Sequence, residues 1–342
     1  MAAPPRILIP GGYGVFGRLL ARELLATTEA RLVIAGRNAR AAREACRELN
    51  GAGRCEPLEL DLCDMGSVGE AAGGCFAVVC AAGPFQALPR GLPRAIVRAP
   101  AHWLDIADDA GWVLPLLGDE GLGETARDAG VVVIPGLSSV PALSGALARW
   151  CVTRLPAAVR ARIVLWIGNR NAKGPASIQS ALQSGFGDPV RVRLPEGECR
   201  AYRFSSPDAE LLRRELNLDA EFRVAFEWRL SNWLVARLQG AGTDRRPSRL
   251  SRALARLAAP LARFGSRDAY LQVEAFSSDG SGLAAHLHGQ GQWLAVLPAA
   301  FALEALFSGE LTKRGCVSPS TLLEPEEWIA QLAARGIDFG SR

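Results

Sequence analysis

Residues 7–25, ILIPGGYGVFGRLLARELL, set glycines at 11, 12, 14 and 17 between a short apolar run and a stretch with helical apolar spacing. Strand, glycine turn and helix in that order make a cradle for a diphosphate. The turn lets backbone approach the ligand closely, and the unpaired N–H groups of the first helical turn face it. Two registers fit, Gly12-x-Gly14-x-x-Gly17 and the looser Gly11-x-x-Gly14-x-x-Gly17. In the first, Gly12 takes the tight turn with unusual φ, Gly14 admits the phosphates, and Gly17 lets helix and strand pack closely. Gly12, Tyr13, Gly14, Val15, Phe16 and Gly17 are therefore expected to wrap a dinucleotide.

The next strand, RLVIAGRN (31–38), ends in Gly36-Arg37-Asn38. An acid about 20 residues after the glycines would serve the ribose hydroxyls of NAD. Arg37 would instead attract a 2′-phosphate through a forked, charge-assisted bond, with Asn38 beside it, so the expected cofactor is NADP(H). The alternative is an ordinary surface arginine. A third strand, CEPLELDL (55–62), brings Asp61 toward the adenine amine. A fourth, CFAVVCAAGPF (75–85), turns at Ala82, Gly83 and Pro84 beside the nicotinamide ribose.

Hydride transfer often needs one proton donor or acceptor. His102 and Asp105 in AHWLDIADD (101–109) could pass a proton, or could merely begin and cap a strand. Asp108 or Asp109 could cap the next helix. Ser138 and Ser139, after a sixth strand within 130–152, could bond the nicotinamide amide or a substrate. Lys173, with Gly174 and Ser177, opens a helix that would suit an anionic substrate group. The candidate catalytic set is thus His102, Asp105, Ser139 and Lys173. Tyr-x-x-x-Lys chemistry is excluded, because Asn169 and Gly309 stand four residues before the two lysines, Lys173 and Lys313. No metal is expected: His286 and His288 lack a third ligand at suitable spacing, and the eight cysteines form no CxxC pair.

These residues need a scaffold. Successive strand–helix units through about residue 150 predict a Rossmann-type parallel sheet. Beyond it the texture becomes antiparallel, in AVRARIVLWIG (158–168), PVRVRLP and RAYRFSS. AYLQVEAFSSDGSGLAAHLHGQG (269–291) reads as a hairpin turning at Asp279-Gly280. Helices are expected near 174–185, 249–264 and 293–308, and a helix with a short strand over 324–339 that folds back on the first domain. The fold class is α/β, with an inserted α+β substrate and dimerisation domain. The boundaries are 1–150 for the NADP-binding domain, completed by 315–342, and 151–314 for the insert.

The chain has 342 residues, 49% hydrophobic, and a net charge of +4. No nucleic-acid motif and no secretory leader are apparent, and the free thiols suit a cytoplasmic protein. The apolar stretch at 292–307 is too short to span a bilayer and reads as a core helix. In 244–268, Leu250, Leu254, Leu257 and Leu261 share one helical face, and Arg249, Arg252, Arg256 and Arg263 lie opposite. Residues 249–264 could lie on an anionic membrane surface, or pack leucines inward with the arginines solvated.

The chain resembles the saccharopine dehydrogenase-like oxidoreductases, which include saccharopine reductases and trans-acting enoyl reductases. The resemblance rests on ILIPGGYGVFGRLLARELL with LVIAGRN, CAAGPFQ, HWLDIADD, PGLSSVPALSGALA and GCVSPSTLLEPEEWIAQLAARGI. HWLDIADD lacks the family's following Gly-Glu pair, and Leu137-Ser138 stands where Phe-Asp is usual. The resemblance implies a Rossmann domain completed by the C-terminal helix, an inserted substrate domain, and NADP-dependent hydride transfer. The substrate would be a small molecule or lipid-like, and hydrophobic rather than saccharopine, since no cluster suits several carboxylates. A homodimer is compatible with this organisation. The alternative is a non-catalytic NADP(H)-binding regulator or partner protein.

Overall fold

The computed structural model describes residues 4–51, 53–171, 178–179, 187–195, 197–228, 253–254, 256–257, 260 and 263–342. Among them the chain divides into two units, Met1–Ser138 with Ala295–Leu322, and Ser139–Leu294 with Leu323–Arg342.

The first unit alternates strands and helices: β1 Arg6–Pro10, α1 Val15–Thr27, β2 Arg31–Gly36, α2 Ala39–Leu49, β3 Cys55–Glu59, α3 Met65–Ala72, β4 Ala77–Cys80, α4 Leu92–Arg98, β5 His102–Asp105, α5 Ala110–Leu117, α6 Glu120–Asp128 and β6 Val132–Ile134. The strands pair in parallel in the order β6-β5-β4-β1-β2-β3. Strand order therefore reverses between β1 and β4, and ligands of such sheets bind outside the carboxyl ends at that point. Ile7, Leu8 and Ile9 of β1 and Val78, Val79 and Cys80 of β4 are fully buried, as a sheet covered on both faces requires. Pro57 sits in β3, at the sheet edge, where a missing N–H costs no ladder bond.

The second unit opens with α7, Ser144–Arg154, followed by β7 Ala158–Ile167, β8 Pro189–Leu194, β9 Gly197–Phe204, α8 Asp208–Leu216, β10 Asp219–Phe226, β11 Asp268–Ser277 and β12 Gly282–Gln290. β7 is not a wholly antiparallel strand: it pairs parallel to β10 and antiparallel to β11. The expected hairpin forms, β11 against β12, with Gly280 at φ +88° and the Asp279 carboxylate accepting from Ser281 N at 2.8 Å.

The C-terminal region divides between the units. Helix α9, Leu297–Ser308, is buried nearly all round and packs on α1, and Phe307 meets Phe76. Strand β13, Gly315–Cys316, extends the first sheet beside β6. Helix α10, Pro325–Ala334, packs on α7 with Trp328 and Leu332 buried, and strand β14, Asp338–Ser341, pairs antiparallel to β12. Two expectations are corrected. The helix near 293–308 belongs to the first unit, and the segment from 323 onward joins the second sheet rather than folding back on the first domain. The first boundary also falls at Ser138 rather than 150, because α7 packs on β11 and β12. The expected helix at 174–185 lies almost wholly, and that at 249–264 largely, outside the described residues. No described helix is long and apolar enough to cross a membrane.

Candidate cofactor site

The glycine turn lies at the sheet's switch point, and its geometry selects between the two registers. Gly11, not Gly12, carries the positive φ, +76°. A Cβ on Gly11 would lie 2.6 Å from both Ala81 O and Ala82 N, so the turn runs against the end of β4. Gly12 is needed for closeness instead, since its Cβ would lie 2.8 Å from Ile9 O. Gly17 is the tightest: its Cβ would sit 2.3 Å from Gly11 O and 2.6 Å from Gly12 Cα. Helix α1 therefore rests directly on the turn. A Cβ at Gly14 would meet only Gly11 O, at 3.1 Å, which leaves its outer side open.

Gly14 is the N-cap of α1 and makes no side-chain capping bond, and the first turn has no acid. The N–H groups of Val15, Phe16 and Gly17 thus have neither an intrahelical acceptor nor a capping oxygen, and an anion suits them. This fits a diphosphate. The carbonyl of Tyr13 is held by Arg18 Nε at 2.9 Å, and the Tyr13 ring packs over Gly36, where a Cβ would come within 2.5 Å of Cε1. Tyr13 and Gly36 as a packed pair were not foreseen; a glycine ending an apolar strand opposite an aromatic in the turn is the signal that could have found them.

Arg37 is exposed at the end of β2, and no ion-pair partner exists for it among the described residues. The Asn38 side chain caps α2 by accepting from Ala41 N at 3.0 Å, which leaves its backbone for any ligand. Asp61 is exposed, with one oxygen accepting from Cys63 N at 3.0 Å. Ala82, Gly83 and Pro84 follow β4, and this loop meets the glycine turn at Ala81–Ala82, against Gly11.

The candidate proton carriers have other work. His102 is buried against Phe76, and its Nδ1 accepts from Val132 N at 3.0 Å, tying β5 to β6. Burial, helped by Arg314, pushes its pKa down to about 4, so the ring is neutral. Asp105 is wholly buried. One oxygen accepts from the indoles of Trp103 and Trp112, each at 2.9 Å; the other accepts from Ala107 N at 3.0 Å and Gly136 N at 2.9 Å. Burial raises its pKa, and the four donors act against that rise. Both side chains are thus engaged in bonds that tie parts of the first unit together. Asp109 occupies the N-cap of α5 but accepts from Gln86 Nε2 at 2.9 Å rather than from the helix.

Ser138 and Ser139 are both buried, and Ser139 begins the turn Ser139–Leu143 that leads into α7. Lys173 lies outside the described residues. One pair in the second unit is invisible in the sequence, because its members are 64 residues apart: Ser144 Oγ donates to Asp208 Oδ1 at 2.5 Å. Asp208 is 1% exposed, and its Oδ2 has no hydrogen-bond partner among the described residues. Burial raises its pKa from the ordinary 3.8 to about 6, against the bonds from Ser144 and Ser206. A raised folded pKa stabilises the fold fully below the ordinary value and loses that contribution as pH rises through about 6. Asp208→Asn is expected to keep the Ser144 bond and remove the titration. Wild-type stability should fall relative to the variant by about 3 kcal/mol between about pH 4 and pH 7. Urea denaturation across that range checks it, and parallel curves would refute it.

Comparison with family models and with curated proteins finds no match. Among solved structures, the chain is similar to an apo, histidine-tagged saccharopine dehydrogenase (L-Glu forming) from Saccharomyces cerevisiae. The identity is 11% over 99% of each chain, and the TM-score is 0.66. It is also similar to GenD2 from gentamicin A biosynthesis in complex with NAD, at 12% identity over 100% of this chain and 97% of that one, with a TM-score of 0.47. The first likeness covers 99% of both chains. The chain has the saccharopine dehydrogenase-like fold.

Proposed function

We propose that this chain is an NADP(H)-dependent oxidoreductase that moves hydride to or from a small, hydrophobic or lipid-like substrate. When bound, the nicotinamide supplies or accepts the hydride. The observation that carries the reading is the glycine cradle at the switch point, where three glycines leave no room for a Cβ under an uncapped helix. Turn residues Gly11 to Gly17 would hold the diphosphate, and Ala82 to Pro84 would border the nicotinamide ribose. Asp61 has an oxygen left to accept from the adenine amine. Arg37, exposed and without an ion pair among the described residues, supports a 2′-phosphate and hence NADP(H) over NAD(H).

A second reading, a non-catalytic NADP(H)-binding protein, is favoured by one observation. His102 and Asp105 are both committed to structural bonds. Oxidation of bound NADPH during a screen of aldehydes, ketones and enoyl lipids separates the readings, since a binding protein never oxidises it. Arg37→Asp tests the cofactor assignment by calorimetry. NADPH affinity should fall about tenfold to a hundredfold, and NADH affinity should barely change. Equal losses for both coenzymes would overturn the choice of NADP(H).

A further inference from the structure

We propose that the arginine-rich segment ending at Arg267 docks this protein on an anionic lipid surface, with Leu257 and Phe264 entering the interface. Between Asp244 and Asp268 the chain has seven arginines and no acid, a local charge of +7. The whole chain carries +4, so the remainder is net negative. The stretch is therefore densely positive, seven arginines within residues 245–267.

Two of the segment's four leucines, Leu254 and Leu257, are among the described residues, and neither is buried. Leucines packed inward would be buried. Instead Leu257 is 69% exposed and Phe264 64%, two of the three large hydrophobic side chains left exposed among the described residues. Ala253, Arg256, Pro260, Arg263 and Arg267 are exposed too, and Leu254 is only half-buried. None of Arg256, Arg263 and Arg267 has an ion-pair partner among the described residues.

Phe264 is also held in place. Its carbonyl accepts from Asn169 Nδ2 at 3.0 Å. Two residues on, Ser266 N donates to the Glu227 carboxylate at 2.9 Å, and Ser266 O accepts from Arg170 N at 2.9 Å. A Cβ on Gly168 would lie 2.4 Å from Ser266 O, so the segment rests tightly on the ends of β7 and β10. These bonds fix the backbone at Phe264 and Ser266, so little backbone entropy is lost when the exposed ring enters an interface.

The chemistry selects the occupant. A nucleic acid would need side chains to stack on or read its bases, and Phe264 is the one aromatic between Arg245 and Arg267, with no Asn or Gln. A second copy would need an apolar counterpart, and among the described residues Val159 is the one large exposed hydrophobic outside the segment. Two copies of the segment would repel one another. An anionic bilayer supplies both the negative charge and the apolar layer.

The test is flotation of the full chain with phosphatidylcholine vesicles, with and without phosphatidylserine. The chain should float with phosphatidylserine vesicles at low salt, stay down with phosphatidylcholine alone, and be released at about 0.5 M salt. Arg256→Gln with Arg263→Gln should weaken binding about tenfold or more, and Leu257→Asp with Phe264→Asp by a similar factor. All four side chains are exposed, so both variants should fold, and circular dichroism confirms it. Absence of flotation at low salt, or flotation unchanged in either variant, overturns the proposal. So does equal affinity for a DNA duplex that Leu257→Asp with Phe264→Asp leaves intact, which would mark a general polyanion site. A dimer in sedimentation that Phe264→Asp dissociates would assign the surface to a second copy instead.

Discussion

Gly17→Ala is expected to reduce the affinity for NADPH and NADH together, by about a hundredfold or more, and to lower stability by about 2–3 kcal/mol. The new Cβ would lie 2.3 Å from Gly11 O, 2.6 Å from Gly12 Cα and 2.9 Å from Gly11 C. All three are backbone atoms, so no rotamer change relieves the contact. The turn cannot retreat either. Gly11 N is bonded to Ala35 O at 2.8 Å, and the far side of Gly11 faces Ala81 and Ala82 backbone. Helix α1 must then move off the turn, and its first-turn N–H groups move with it. A misplacement on the order of 1 Å is enough to cost such an anion site most of its affinity. Gly69→Ala is the control. Gly69 lies inside α3 with nothing within 4 Å of a Cβ, so the variant should gain about 0.5–1 kcal/mol and bind coenzyme as before. Calorimetry and urea denaturation read both variants. Wild-type coenzyme affinity in Gly17→Ala would remove the basis of the proposed function.

The same glycines show what the sequence could and could not convey. Strand, turn and helix were legible, because apolar periodicity and glycine clustering are local. Which of two adjacent glycines takes the positive φ was not. That is decided by Ala81 and Ala82, seventy residues later, whose backbone blocks the Gly11 side. The hairpin at Asp279-Gly280 was legible for a local reason, since the carboxylate and the glycine build the turn themselves. The destination of the last fifty residues was hidden. Helix α9 is apolar all round, so no face declares its partner. The short strand β14 shows its place only by pairing with β12. His102 and Asp105 stand out in the sequence, but Val132, which bonds His102, and Gly136, one of the four donors to Asp105, lie about thirty positions away, and such partners decide the role.

Asp105→Asn is the sharpest test of that role, with an expected loss of about 3–5 kcal/mol. All four partners of the carboxylate are N–H donors: two indoles at one oxygen, two backbone amides at the other. An amide offers one oxygen and one NH2. Whichever way it turns, two buried N–H groups lose their acceptor and face another donor. Trp112→Phe removes one donor and leaves three, so it should cost only about 1–2 kcal/mol. The two effects should not add. In a Trp103→Phe, Trp112→Phe background the amide nitrogen can point where the indoles were, and the Asp105→Asn penalty should shrink to about half or less. A proton carrier would behave otherwise. Its Asn variant would fold with near wild-type stability while NADPH oxidation stopped, and the two indoles would not alter its cost. Because Asp105 O also accepts from Leu137 N at 2.7 Å, the carboxylate and its backbone together fix the loop after β6. Asp105 therefore acts on the carboxyl ends of the sheet by shaping them, and denaturation of these four variants distinguishes shaping from proton transfer even before a substrate is identified.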